Sequence, residues 1–172
     1  MSQSCLDCTL RSDGVFCDLE PDALQQFDGI KSLESWPRGT VLFREGQPAR
    51  SVYLLCSGRV RLTVCSESGR RMTLRNAYAG EVLGLSAALS GGAVEVTVEA
   101  MEAVQVAQIH RRDLLHFLRE HGDVCMQVVH LLSEDLHVAY DRVRSVGLVR
   151  TRHSHGPNNG HGSHHPHPAP TH

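Results

Sequence analysis

Five glycines, Gly46, Gly58, Gly69, Gly80 and Gly91, punctuate the first half of this chain at intervals of twelve, eleven, eleven and eleven residues. Glycine reaches the positive φ that tight turns need, and each interval holds about one strand's length of apolar or β-branched residues. Val60, Leu62 and Val64 alternate with Arg59, Arg61 and Thr63, and Val94, Val96 and Val98 alternate with Glu95, Thr97 and Glu99. Strands of that pattern bury one face and wet the other. Turns spaced this way predict a small antiparallel barrel or roll from about Thr40 to Ile109.

Around the roll the chain divides into a Cys-bearing arm (residues 1–19), the roll with short helices (20–121), a long helix (122–148) and a tail (149–172). Pro21 to Phe27 reads as a short helix with proline in its first turn, and Arg112 to Glu120 carries helical spacing through Leu114, Leu115 and Leu118. An apolar content of 41% suffices for a packed core. The net charge of −2 gives no electrostatic reason to expect nucleic acid or an anionic membrane as partner. No apolar run reaches the roughly 18 residues of a membrane span, and the start, MSQSCLDCTL, is not a secretion signal, so the expected location is the cytoplasm. Six Cys at that address read as thiols or metal ligands rather than disulfides. The last twenty residues hold seven of the twelve His and four of the seven Pro, a composition expected to be disordered. Its clustered imidazoles, His161, His164, His165 and His167, suit a borderline transition metal.

The long helix carries a second periodicity. Cys125, Val129, Leu132, Leu136, Ala139, Val143 and Val146 follow one another in alternating steps of four and three, which is a heptad seam. Val129, Leu136 and Val143 form one core position, and Leu132, Ala139 and Val146 the other; β-branched residues at the first favour a parallel pair. A second stripe, Val124, Val128, Leu131 and Val138, is expected to pack on the sheet. The alternative is an amphipathic helix buried within a monomer.

A short helix, a glycine-punctuated roll, two helices and a heptad helix together resemble the sensor half of Crp/Fnr-type bacterial transcription regulators. The resemblance covers roughly Pro37 to Leu148 and rests on three stretches: Gly39-Thr-Val-Leu-Phe-Arg-Glu-Gly46, Val52-Tyr-Leu-Leu-Cys-Ser-Gly58, and Ala79-Gly-Glu-Val-Leu-Gly84. It implies a mainly β fold with α: an antiparallel, jelly-roll-like β-roll of the cyclic-nucleotide-binding type, short flanking helices and a long C-terminal dimerisation helix. It also implies a small effector held by the roll, with Gly84, Leu85, Ser86, Val94, Glu95 and Tyr140 as pocket positions.

The usual effector meets an obstacle here. Family members that bind cyclic nucleotides carry a carboxylate after the glycine matching Gly84 and an Arg about ten residues later, and this chain has Leu85 and Val94 or Glu95 in those places. A cyclic phosphate would lose its charge-assisted partner and face a glutamate, costing on the order of several kcal/mol. Tight binding of cyclic AMP or cyclic GMP through the usual contacts is therefore not expected, and the effector stays unidentified.

Cys5, Cys8 and Cys17 resemble the iron-sulfur arm of the oxygen-sensing branch, a thiolate set that suits a cluster or, with an imidazole, zinc. Two features depart from that branch. Eight residues rather than five precede the third Cys, and the fourth ligand's strand position is Ala107, so Cys56, Cys65 or Cys125 must substitute.

The family's DNA-reading module would follow the long helix, but only 25 residues (172 minus 147) come after Gly147, without two periodic helices. Direct DNA binding is not expected of this chain. Arg142, Arg144, Arg150 and Arg152 read as a solvated basic helix end. The expected role is to act through a homodimer or a heterodimer with a full-length relative, with redox or oxygen sensing by the Cys arm as the alternative. Catalysis is not expected. A barrel metalloenzyme needs His and carboxylate ligands on its strands, yet no His precedes His110 and no Asp lies between Asp28 and Asp113. His110, His116, His121, His130 and His137 read as surface residues.

Overall fold

The computed structural model describes residues 4–8 and 14–152, with side chains through Gly147. The His- and Pro-rich tail and its candidate imidazoles lie outside the described residues, as do the side chains of Arg150 and Arg152.

A 3-10 turn at Cys5–Asp7 precedes α1 (Pro21–Ile30), whose proline opens the helix and whose Ala23, Leu24 and Phe27 form its buried side. Eight strands follow among the described residues: β1 (Lys31–Trp36), β2 (Val41–Phe43), β3 (Ser51–Ser57), β4 (Arg59–Cys65), β5 (Arg71–Tyr78), β6 (Val82–Leu83), β7 (Thr97–Ala100) and β8 (Val104–His110). They make two four-stranded antiparallel sheets, ordered β1-β8-β3-β6 and β2-β7-β4-β5. This is the expected roll. Short α2 (Leu85–Ser90) sits between β6 and β7, and α3 (Arg111–Glu120) and α4 (Gly122–Arg152) come after β8.

The five rhythmic glycines all have φ between 76° and 95°. At Gly58 the constraint is double, because a Cβ would also stand 2.6 Å from the Ala103 carbonyl oxygen. The Gly80–Gly91 interval departs from the expected strand: it holds the two residues of β6 and then α2, whose C-terminus Gly91 caps in the left-handed conformation. Strand β1 begins nine residues before the expected start of the sheet at Thr40 (40 minus 31). Its sequence, Lys-Ser-Leu-Glu-Ser-Trp, has no β-branched residue; what makes it a strand is its register along apolar β8, from Lys31 opposite Ile109 to Trp36 opposite Val104.

The core fills the space between the sheets and under the helices, with Val60, Val98 and Ala77 from one sheet and Val52, Leu55 and Val106 from the other fully buried. Part of the arm joins it. Phe16 stacks on Phe27 with ring centroids 4.9 Å apart, and both meet Phe117 of α3. Rings of this size contribute about 1.5–3 kcal/mol each on burial. Gly14 fits because a Cβ there would collide with the backbone carbonyl of Gly80.

The chain divides into two compact units at Ser133/Glu134, within α4. In the first unit Val124 and Val128 are buried, and Leu131, Leu132 and Cys125 pack partly against the core. The second unit's side chains are exposed from Glu134 to Gly147. Val138, expected on the sheet-packing stripe, is half exposed, so that stripe ends at Leu131.

Candidate functional site

The wall expected to hold an effector begins at Gly84, whose φ of 80° turns β6 into α2 and N-caps that helix without a side-chain bond. Leu85, at the place of the family's carboxylate, is 4% exposed and packs in the core beside Ala87 and Ala88. Ser86 and Glu95 face solvent, and Val94 is buried. Tyr140 is an exposed residue of the second unit. Helix α2 is held by a residue the sequence did not single out: Arg111 donates from Nε to the Ala88 carbonyl at 2.6 Å.

Val94 does line a cavity of about 540 Å³ beside this wall, with Phe43, Arg50, Ser51, Tyr53, Gln108 and His110 among its other walls. Gln108 donates from Nε2 to Ser51 Oγ at 3.0 Å, and Ser51 Oγ lies 3.3 Å from His110 Nδ1. His110, expected as a plain surface residue, is thus part of a polar cleft rim. Burial, and then the Glu34 carboxylate, push the Tyr53 hydroxyl above its ordinary value. At the two positions that the resemblance matches to the phosphate-pairing Arg, Val94 is buried and Glu95 is exposed.

Thiols gather elsewhere. Cys5 and Cys8 flank the 3-10 turn, closed by the Cys8 amide on the Cys5 carbonyl at 3.3 Å and capped by Ser4 Oγ accepting from the Leu6 amide at 3.2 Å. Asp28 of α1 anchors the turn, accepting from the Cys5 amide at 2.7 Å and from Ser4 Oγ at 3.3 Å. Cys17 is buried next to the Phe16 stack. Cys56 is the bulged residue of β3: Leu55 pairs with Val106 and Ser57 with Gln105, leaving Cys56 between two ladder pairs. A small cavity of about 20 Å³ is lined by Cys5, Cys8, Cys17, Cys56, Leu54 and Leu55.

The structure places the three arm cysteines and Cys56 around one cavity, and neither Cys65 nor Cys125 among its walls. Cys65 is exposed at the end of β4, and Cys125 packs partly against the core from α4. The Cys56 thiol also receives the backbone amide of Ala107, the strand position where the resemblance places its fourth ligand. Among the described residues no group of three or more His, Cys, Asp or Glu could hold a metal ion.

Electrostatics around this cavity centre on Lys31, whose side chain is 5% exposed and whose Nζ lies 3.1 Å from Asp28 Oδ1. Burial pushes the Cys5 thiol up to about 11, with Lys31 pulling the other way. Burial also raises Cys56, again opposed by Lys31. For Asp28 burial works against ionisation, but the Cys5 amide and Lys31 prevail and the carboxyl stays below its usual range. Lys31 too is buried against its charge, and its hydrogen bond to Asp28 outweighs that and raises it. Sequence reasoning missed Lys31 and Asp28; the one available signal was that Lys31 is the single lysine beside sixteen arginines.

Of the seven seam residues, Cys125 and Leu132 are partly covered by the core, whereas Val129, Leu136, Ala139, Val143 and Val146 are exposed. No helix among the described residues is long and apolar enough to cross a membrane.

Residues 33–121 match the family model described as "Cyclic nucleotide-binding domain". The nitrogen fixation regulation protein FixK of Bradyrhizobium diazoefficiens is 25% identical over 143 residues, covering 83% of this chain and 59% of that protein. The Thermus thermophilus catabolite activator protein superposes with a TM-score of 0.71 at 25% identity, over 77% of this chain and 62% of that one. A patatin-like phospholipase domain-containing protein 6 of Pongo abelii is 28% identical over 113 residues, which is 66% of this chain and 8% of that protein. This chain thus spans about 60% of the bacterial regulators it matches, and its likeness to the phospholipase is confined to a small part of that protein.

Proposed function

Because this chain belongs to the cyclic nucleotide-binding domain family, we propose that it serves as the effector-sensing and dimerising half of a Crp/Fnr-type transcription regulator, pairing through α4 with a second copy of itself. A full-length relative with the same seam pairs in the same way. The observation that carries the reading is the exposed run Leu136, Val143 and Val146, left at 52, 70 and 63% exposure on a helix whose apolar residues step by four and three. Large aliphatic side chains in that pattern find burial against an identical helix. Cys125 and Leu132, at the start of the seam, pack partly against the core of the roll.

The effector is proposed to be something other than a cyclic nucleotide held in the family's usual way. Leu85 is committed to the core, and neither Val94 nor Glu95 supplies the positive charge that a phosphate would need there. The Crp/Fnr reading is supported by the roll and its relatives; the dimer is supported by the seam.

Sedimentation equilibrium tests the pairing. The chain is expected to run as a dimer at micromolar concentration and Leu136→Asp as a monomer with unchanged circular dichroism. A wild-type monomer up to about 100 μM overturns the reading, since a functional pair binds at least that tightly.

A further inference from the structure

The sheet face that opens beside the effector wall changes character in regular steps. On β3 and β8 the facing pairs are Ser51 with His110, Tyr53 with Gln108 and Leu55 with Val106. Side chains two apart on a strand share a face, so these pairs stack as three rows, and the rows run from polar through mixed to fully buried apolar. The other sheet contributes Phe43, whose ring centroid lies 5.8 Å from that of Tyr53. Together they bound the cleft of about 540 Å³, a size that suits a small organic ligand. Arg50 is an exposed wall of this cleft, and among the described residues its side chain makes no hydrogen bond or ion pair. We propose that the cleft binds a small aromatic monocarboxylate, its carboxylate paired with Arg50 and its ring lying along Phe43 and Tyr53.

The site is distinct from the pocket that the resemblance implies. Val94 is shared, whereas Gly84, Leu85, Ser86, Glu95 and Tyr140 do not line the cleft. Its chemistry selects an anion with a flat apolar body. A guanidinium meets both oxygens of a carboxylate with two parallel N–H donors. Beside Arg50, the Ser51 hydroxyl already accepts from Gln108, so its own hydrogen is directed to His110 Nδ1 and the neutral imidazole keeps its hydrogen on Nε2 as a further donor. The Tyr53 hydroxyl, held above its ordinary value by burial and then by Glu34, stays protonated and donates as well. Glu34 stands on β1 opposite Val106 and is not a wall of the cleft, and no carboxylate lines it among the described residues. A cationic ligand would meet Arg50 with no acid to offset it.

The cleft is held in shape by backbone bonds. The Val94 amide donates to the Gln47 carbonyl at 2.9 Å, the Gly46 amide to the Val94 carbonyl at 2.8 Å, and the Ala49 amide to the Gly92 carbonyl at 3.3 Å. These bonds fasten the loop that carries Arg50, so little ordering has to accompany binding. That such a ligand is the effector rests on the sensing reading above; that it binds does not.

Calorimetry on the full chain tests the site, with 2-naphthylacetate as the probe and 2-naphthylacetamide as a control of the same shape without charge. The acid is expected to bind with a dissociation constant below about 1 mM and about fivefold more tightly than the amide. Arg50→Gln keeps the backbone bonds at this exposed position. It is expected to weaken the acid about fivefold, to leave the amide unchanged and to retain the circular dichroism of the wild type. Absence of binding in that range, equal affinity for acid and amide, or wild-type affinity for the acid in Arg50→Gln each overturns the proposal. Sedimentation of the same samples keeps the two readings apart. A dimer that does not bind the acid overturns the site and leaves the pairing standing, whereas a monomer that binds it in the Arg50-dependent way supports the site and overturns the pairing.

Discussion

The wall from Gly84 to Glu95 and the cavity under the arm make an instructive pair. The wall is one continuous stretch whose glycines keep the geometry of an effector pocket, yet its chemistry has been turned over to packing: Leu85 is in the core and Glu95 is in solvent. The cavity is the reverse. No single stretch forms it, but four cysteines from the arm and β3 line it, with the buried Lys31 of β1 nearby. The wall keeps its glycine-shaped backbone while Leu85 packs in the core, and the cavity's cysteines meet only where the arm folds against β3.

The sharpest way to break this contrast is Leu85→Glu, which restores the family's carboxylate. If the wall is now core, the substitution buries an unpaired charge in place of a leucine and is expected to cost at least about 3 kcal/mol of unfolding free energy in urea titrations, with no gain of cyclic AMP affinity. A variant as stable as the wild type that binds cyclic AMP would show the wall to be an idle pocket instead.

The same contrast explains what the sequence disclosed. The roll was legible because turn glycines and the alternation of Val60, Leu62 and their polar neighbours are local signals, and both survive in β4 with Val60 and Leu62 buried. The identities at Leu85, Val94 and Glu95 are local as well, whereas the burial of Leu85 and Val94 and the exposure of Glu95 follow only from the fold. Strand β1 was not, because its polar sequence becomes a strand only through pairing with β8. Nor was α2, where the interval between two glycines has a strand's length but Gly84 starts a helix. That Cys56, and not Cys65 or Cys125, lines the cavity with the arm's cysteines follows from where β3 passes, and the exposure of Val138 from where the core's cover of α4 ends.

Asp28 offers a smaller and more selective probe of the cavity side. Its carboxylate accepts the Cys5 amide and pairs with Lys31, and its folded-state value lies below the ordinary one. A group depressed in this way contributes stability above its unfolded value of about 3.9 and loses it as the pH falls through the folded value. In the presence of chelator, Asp28→Asn is expected to cost about 1 kcal/mol at pH 7, and the difference from wild type is expected to shrink below about pH 4. A difference that stays constant with pH would mean that the residue acts by packing rather than by charge.

The least effect is expected on the wall's exposed side. Glu95→Arg places a cation at the exposed one of the two positions, Val94 and Glu95, that match the family's phosphate partner, and it removes no contact in the core. Stability is expected to change by no more than about 0.5 kcal/mol. Cyclic AMP binding, followed by calorimetry, is expected to stay undetectable at millimolar ligand. One restored charge cannot hold a phosphate while the neighbouring ribose site is filled by Leu85, because the two contacts must be desolvated together to favour binding. If this single exchange confers micromolar affinity, then only the charge had been lost, and the wall would join the cavity as a site with its chemistry nearly in place.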